Sequence, residues 1–187
     1  LLLLTALLIK IEDRGPVFFR QKRCTKNGKV FEILKFRSMI VDAEKGGETI
    51  PCRTGDPRIT HVGRVIRKLR IDEFPQIINV LKGDMSIVGP RPERVEHVEA
   101  YTKEIPEFSY RLRVKGGLTG YAQIYGKYNT SPYDKLRLDL QYIEKQSLLM
   151  DLKLILLTVK IMFVPESTEG FTQKRSEQIA EETRSKR

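Results

Sequence analysis

The sequence predicts an α+β fold: a mainly helical single domain with a small N-terminal β-hairpin. Two observations predict it. Residues 17–36 hold two runs rich in Val, Phe and Ile around Asn27-Gly28, a dipeptide that supplies the positive φ angles of a tight turn. From Thr60 onward, apolar side chains recur every three or four residues, the spacing of one helix face. A chain of 187 residues is long enough to bury a core.

The opening "LLLLTALLIK" is an apolar run of nine residues before Lys10, short of the ~20 that span a bilayer. It reads either as a buried core helix or as the cut end of a longer apolar segment. No basic stretch precedes it and no small-residue cleavage site follows, which argues against a signal peptide. The hairpin over 17–36 turns at Lys26-Asn27-Gly28-Lys29. After Met39, "DAEKGGETIPCRTGDPR" carries too many glycines and prolines for a long regular element and reads as a surface loop. From Thr60, Val62, Val65, Ile66 and Leu69 form an apolar stripe, and Arg64, Arg67, Lys68 and Arg70 fill the other positions of a basic amphipathic helix. A second stripe, Phe74, Ile77, Ile78 and Leu81, ends at Gly83, placed to serve as a left-handed cap.

"GPRPE", residues 89–93, predicts a sharp turn into a third helix with Pro92 at its first position and Val95, Val98 and Ile105 among its apolar residues. "VKGGLTGYAQIYGK" reads as loop with a short strand. A fourth helix covers 133–146, buried through Leu136, Leu140 and Ile143. "LLMDLKLILLTVKIMFV", residues 148–164, stops at Pro165. Asp151, Lys153 and Lys160 speak against a bilayer-spanning helix and leave an interfacial or a core helix. Residues 166–187 are polar and mixed in charge, without a core signal. The predicted division is 1–10, 11–165 and 166–187.

Lysine and arginine outnumber aspartate and glutamate 34 to 24, a formal net charge of +10. That excess predicts a negatively charged partner: nucleic acid, anionic lipid or a nucleotide. Cys24 and Cys52 lack a CxxC partner and His61 and His97 lie far apart, so ordinary reduced thiols are predicted, not a disulfide framework or a zinc site. Nucleic-acid binding rests on charge alone, since tryptophan is absent and aromatic and basic residues do not interleave.

The most informative stretch is "LRIDEFPQ", residues 69–76. An aspartate before a helix accepts backbone N–H bonds, a proline suits the first turn, and acids favour the positive end of the helix dipole. Capping, however, needs only one acid. The same geometry lets a carboxylate beside Arg67, Lys68 and Arg70 hold a divalent cation and face a phosphate. Aspartate, with an ordinary pKa near ~3.9, is ionised and nucleophilic at neutral pH. Two unit charges ~4 Å apart repel by about 4 kcal/mol at an effective dielectric of ~20, about a thousandfold in rate. Nearby cations must cancel that repulsion for a carboxylate to attack a phosphate.

Four words, "GPVFFRQKR", "FEILKFRSM", "RKLRIDEFPQIINVLKGDMSIVGPRPE" and "RLDLQYIEKQSLLMDLKLILLTV", together resemble the bacterial sugar transferases known as monotopic phosphoglycosyl transferases. The resemblance runs from about Gly15 to Thr158. It implies transfer of a sugar-1-phosphate from a UDP-sugar to a polyprenyl phosphate such as undecaprenyl phosphate, with release of UMP. This is a membrane step of bacterial glycan assembly, at the cytoplasmic face of the inner membrane.

By the same resemblance Asp72 and Glu73 are the catalytic dyad. Asp72 would attack the β-phosphate, carry a covalent phosphosugar and ligate Mg²⁺, for which Mn²⁺ could substitute. Glu73 would support proton removal or orient the acceptor. Arg91, Lys35 and Arg37 match basic words of the family that suit phosphate binding, and Arg70 joins them beside the dyad. Gln123 and Asp139 fall in family-like words and would either touch nucleotide or brace a loop. The opening apolar run resembles the end of a re-entrant membrane helix, so the protein would be membrane-associated through that truncated helix and interfacial amphipathic helices.

Three positions depart from the family pattern and bear on sugar choice. Gly116 stands where a proline is usual, Thr25 where a glycine is usual, and Tyr125 where asparagine is frequent. The "DEFPQ" and "PRP" words are intact. Two other readings compete with the enzyme: a basic nucleic-acid-binding module and a non-catalytic membrane-surface module. Homodimer formation, the sugar and the glycan pathway are left open by the sequence.

Overall fold

The computed structural model describes residues 1–43, 55–126 and 130–162. The predicted hairpin is present, as β1 (Phe18–Cys24) and β2 (Val30–Phe36), paired in a two-stranded sheet. Asn27 and Gly28 take φ of 56° and 73° between them, the left-handed pair that this dipeptide favours. The chain divides into two compact units. The first holds Leu1–Val17 and Phe36–Asp72, the second Phe18–Lys35 and Glu73–Phe163; residues 164–187, grouped with the first, lie outside the described residues. Separate apolar clusters underlie the division.

The first unit contains α1 (Leu2–Asp13) and α2 (His61–Lys68). Ile9, Phe36, Ile66 and Ile71 form its core, with Ala6, Val17 and Val62 packed against them. Helix α2 begins where predicted because its orphan amides are all claimed. Thr60 Oγ1 accepts from the Gly63 N–H at 2.9 Å, and the Glu12 carboxylate accepts from His61 and Val62 N–H at 2.6 and 3.0 Å. Only part of the predicted stripe is buried, since Val65 and Leu69 are exposed. Most of the predicted 42–58 loop, with Cys52, lies outside the described residues.

The second unit runs through α3 (Gln76–Leu81), β3 (Ser86–Val88), α4 (Val95–Glu104), a 3-10 segment (Pro106–Arg113), β4 (Gly117–Thr119), α5 (Tyr121–Tyr125), α6 (Pro132–Glu144) and α7 (Leu148–Met162). Strands β3 and β4 pair in parallel, Ser86 with Gly117 and Val88 with Thr119. Phe31, Ile33 and Met85 form one core cluster, and Val88, Tyr142 and Leu154 another.

Several expectations are corrected here. Helix α3 ends before Gly83 in the predicted left-handed conformation, φ 79°, but its faces are reversed. Phe74, Ile77, Ile78 and Leu81 are exposed, whereas Gln76 and Asn79 are buried. The reason is local. Asn79 Oδ1 accepts from the Leu34 N–H at 2.9 Å and Asn79 Nδ2 donates to the Glu32 carbonyl at 2.8 Å, so an amide side chain satisfies backbone groups of β2 that would otherwise be an open strand edge.

Pro92 does not start α4, which begins at Val95 after Arg94. The glycine-rich stretch contains one short helix, α5, beside the predicted strand. Helix α6 buries Asp139 and Tyr142 along with Leu136, while Leu140 and Ile143 are half-buried. Helix α7 buries Leu154 and leaves Leu148, Leu149, Leu152, Leu156 and Val159 exposed. Among the described residues no helix is long and apolar enough to cross a membrane.

Candidate active site

The acid pair lies in a 3-10 turn, Ile71–Glu73. Ile71 is buried in the core of the first unit, and Arg70 before it has φ 55°, a left-handed conformation that costs a side-chain-bearing residue roughly 1–2 kcal/mol. Helix α3 does not use the pair as a cap in the expected way: its N-cap is Pro75, with no side-chain capping bond. Asp72 is half-buried at the end of the first unit.

Glu73 belongs to the second unit and is the centre of a charged cluster. Its Oε1 accepts from Lys35 Nζ of β2 at 2.7 Å and from Arg91 Nη2 at 2.6 Å. Burial works against its charge, but the charges of Arg91 and Lys35 and the hydrogen bonds they donate outweigh it and hold the carboxyl well below the usual carboxylate range. Glu73 is therefore ionised at neutral pH and weakly basic. Arg91 keeps 42% of its side chain exposed.

Arg91 sits in a segment whose successive carbonyls all accept hydrogen bonds. Pro90 and Pro92 have no N–H, so the backbone here can be held chiefly through its carbonyls. Each of four consecutive carbonyls has a donor: Pro90 O takes the Gly117 N–H at 2.9 Å, Arg91 O takes Arg111 Nη2 at 2.9 Å, Pro92 O takes Arg23 Nη1 at 3.2 Å and Glu93 O takes the Cys24 N–H at 3.0 Å. Arg111 is buried and pairs with buried Asp139 through Nε at 2.9 Å and Nη2 at 2.7 Å. Its Nη1 lies 3.7 Å from Glu93, which also accepts from Lys135 at 2.8 Å. Burial pushes the Asp139 carboxyl up against the pull of Arg111. For Glu93, burial is overcome by His97, Lys135 and Arg111, which hold its carboxyl far below the ordinary value.

The remaining expected site residues are placed differently. Arg37 is buried in the first unit with Nη2 at 3.5 Å from Asp13, the arrangement of a carboxylate-paired cation. Asp139 is 1% exposed and pairs with Arg111. Gln123 Nε2 donates to the Leu118 carbonyl at 3.1 Å and braces the end of β4. Sequence reasoning missed Arg111, Glu93 and Lys135. Arg111 looks like one more member of the cation excess, and its partner lies 28 residues away. The departures at 25 and 116 meet in space: the buried Gly116 N–H donates to Thr25 Oγ1 at 3.1 Å, and Thr25 donates on to the Asp84 carbonyl at 2.9 Å. A proline at 116 could not make that bond and a glycine at 25 could not accept it.

Among the described residues no three His, Cys, Asp or Glu side chains gather to hold a metal, and Glu73 Oε1 is taken by two cations. Mg²⁺ is commonly bound by one or two carboxylates together with substrate phosphates and water. Asp72 is the carboxylate of this stretch that could serve as one such ligand, with substrate phosphates and water supplying the rest.

The family described as "Bacterial sugar transferase" matches residues 1–165. The chain is 46% identical over 163 residues to the UDP-N-acetylgalactosamine-undecaprenyl-phosphate N-acetylgalactosaminephosphotransferase of Aeromonas hydrophila, covering 86% of this chain and 38% of that protein. It is 44% identical over 172 residues to the UDP-glucose:undecaprenyl-phosphate glucose-1-phosphate transferase of Caulobacter vibrioides, covering 89% and 64%. The uncharacterized sugar transferase EpsL of Bacillus subtilis is 40% identical over 169 residues, covering 90% and 81%. The chain thus spans well under two thirds of the first relative and slightly under two thirds of the second.

Proposed function

The chain belongs to the bacterial sugar transferase family, and on that premise we propose that it moves a sugar-1-phosphate from a UDP-sugar to a polyprenyl phosphate. The observation that carries the reading is the Lys35–Glu73–Arg91 cluster, one residue along the chain from Asp72. An Asp72 carboxylate oxygen attacks the β-phosphorus, the bond from that phosphorus to the bridging oxygen breaks, and UMP leaves with the bridging oxygen. A phosphate oxygen of the polyprenyl acceptor then attacks the same phosphorus, which frees Asp72 and yields the polyprenyl diphosphate sugar. Splitting the transfer in two is the general advantage of a covalent nucleophile.

Lys35 and Arg91 supply the positive charge that lets one anion approach another. Because the Glu73 carboxylate is held weakly basic, it is poorly suited to proton removal, and of the two expected roles orienting the acceptor is the better fit, through the two cations that it aligns. Mg²⁺, held by Asp72 and the diphosphate, would supply further neutralisation of the phosphate charge. Arg70, next to the dyad in sequence, is retained as a phosphate-binding candidate; Arg37, Gln123 and Asp139 serve the scaffold.

Membrane attachment at the cytoplasmic face belongs to the same reading. It is supported by the exposed apolar faces of α1, α3 and α7, each within its own unit, and by the names of the relatives. Those names carry two different sugars, so the test uses a panel of UDP-sugars with undecaprenyl phosphate, Mg²⁺ and detergent, and measures UMP. Sustained release over many turnovers that depends on both chain and acceptor is expected, against at most one equivalent per chain without acceptor; no release from any donor would contradict the reading.

A further inference from the structure

We infer that Arg111, locked by Asp139, is a positioning residue that sets Arg91 for the diphosphate; this rests on the transferase reading given above. Two prolines flank Arg91. They remove two of the segment's N–H groups, so its conformation depends chiefly on donors brought to its carbonyls. Two of the four donors are backbone amides of neighbouring strands and follow from the fold. The donor to Arg91's own carbonyl is a side chain, Arg111 Nη2, at 2.9 Å.

A free arginine could not fix that carbonyl, because its long side chain has many rotamers. Arg111 is not free. Nε and Nη2 meet Asp139, Nη1 faces Glu93, and the guanidinium lies over the Phe108 ring at 4.9 Å. The residue is 2% exposed and Asp139 1% exposed. The planar fork is thus held on three sides, and Nη2 serves both Asp139 and the Arg91 carbonyl. Rigidity passes from α6 through Arg111 to the backbone of Arg91, whose guanidinium reaches Glu73 at 2.6 Å.

A stabilising ion pair and a positioning ion pair make different predictions. Removing one buried partner strands the other charge and threatens the fold, so the informative variant replaces both with apolar residues of similar volume, a change that buried pairs often tolerate. In Arg111→Met/Asp139→Leu the melting transition is expected to stay cooperative, and kcat/KM for the UDP-sugar to fall about 10- to 100-fold, the scale of a small displacement at a reacting group. In an Arg91→Ala background the same double change is expected to cause little further loss, because the clamp acts through Arg91. Hydrogen–deuterium exchange of the peptide covering residues 89–98 is expected to speed up.

A cooperatively folded double variant with unchanged kcat/KM, or with losses additive to Arg91→Ala, would overturn the inference while leaving the transferase reading intact. If the parent chain releases no UMP from any donor, the transferase reading fails, and exchange at 89–98 then decides the clamp alone: unchanged protection would sink it.

Discussion

One oxygen of Glu73, Oε1, accepts from both Lys35 Nζ at 2.7 Å and Arg91 Nη2 at 2.6 Å. A strand lysine and the arginine of a proline-flanked segment are thereby brought to one point. Glu73→Gln keeps the shape but removes the charge that gathers them. Activity is expected to fall by about 100-fold, the scale of losing one preorganised electrostatic contact. A comparison of UMP release rates between parent and variant checks this; a variant within twofold of the parent would show that the cluster is not used in turnover.

The pH dependence follows from the same cluster. The folded-state pKa of Glu73 and of Glu93 lies below the ordinary value. Their contribution to stability is therefore fully present above the unfolded value near ~4.3 and is lost as pH falls through the lowered folded values. Denaturant midpoints are expected to hold steady from neutral pH down to about that value and to drop below it. The drop should be shallower in Glu73→Gln. The ratio of kcat/KM between parent and Glu73→Gln is expected to stay constant from pH ~7 down to ~5, since Glu73 keeps its charge over that range.

The hairpin was legible in the sequence because its cause is local: Asn27-Gly28 requires positive φ wherever it turns a strand. Helix α3 was legible as a helix but not in its orientation, since a hydrophobic stripe reports two faces without saying which is inside. Asn79 decides the matter through two bonds to β2, a contact 45 and 47 residues distant that no periodicity encodes. Strands β3 and β4 are three residues each, too short to show alternation. For the site, the acid pair, Lys35 and Arg91 could be read from a resemblance of words. Arg37, in one of the same words, turned out to pair with Asp13, because a word preserves a residue without saying whether it serves ligand or scaffold.

Thr25 and Gly116 give a test of packing alone. Thr25→Ala leaves the buried Gly116 N–H without its acceptor, a cost of about 1–3 kcal/mol. Thr25→Ser keeps the hydroxyl and should recover most of that loss. Urea unfolding of the three proteins measures both, and equal midpoints for Ala and parent would show that the bond contributes nothing.

The outward face of α3 predicts attachment without stability. Ile77 and Leu81 are 46% and 81% exposed, so Ile77→Ser/Leu81→Ser removes little from the core. Each side chain could contribute up to roughly 1.5–3 kcal/mol if buried in lipid. Partition onto anionic vesicles is expected to weaken by at least about tenfold while the melting temperature changes little. Unaltered partition would assign this face to something other than lipid.

The covalent step is tested most directly by intact-protein mass after mixing the chain with each UDP-sugar and Mg²⁺ and no acceptor, followed by rapid acid quench and peptide mapping. A mass increase of one sugar phosphate on the peptide bearing Asp72, absent in Asp72→Asn and discharged by undecaprenyl phosphate, is the predicted result. Acceptor-dependent UMP release that persists at the parent rate in Asp72→Asn, with no such adduct in either protein, would contradict it.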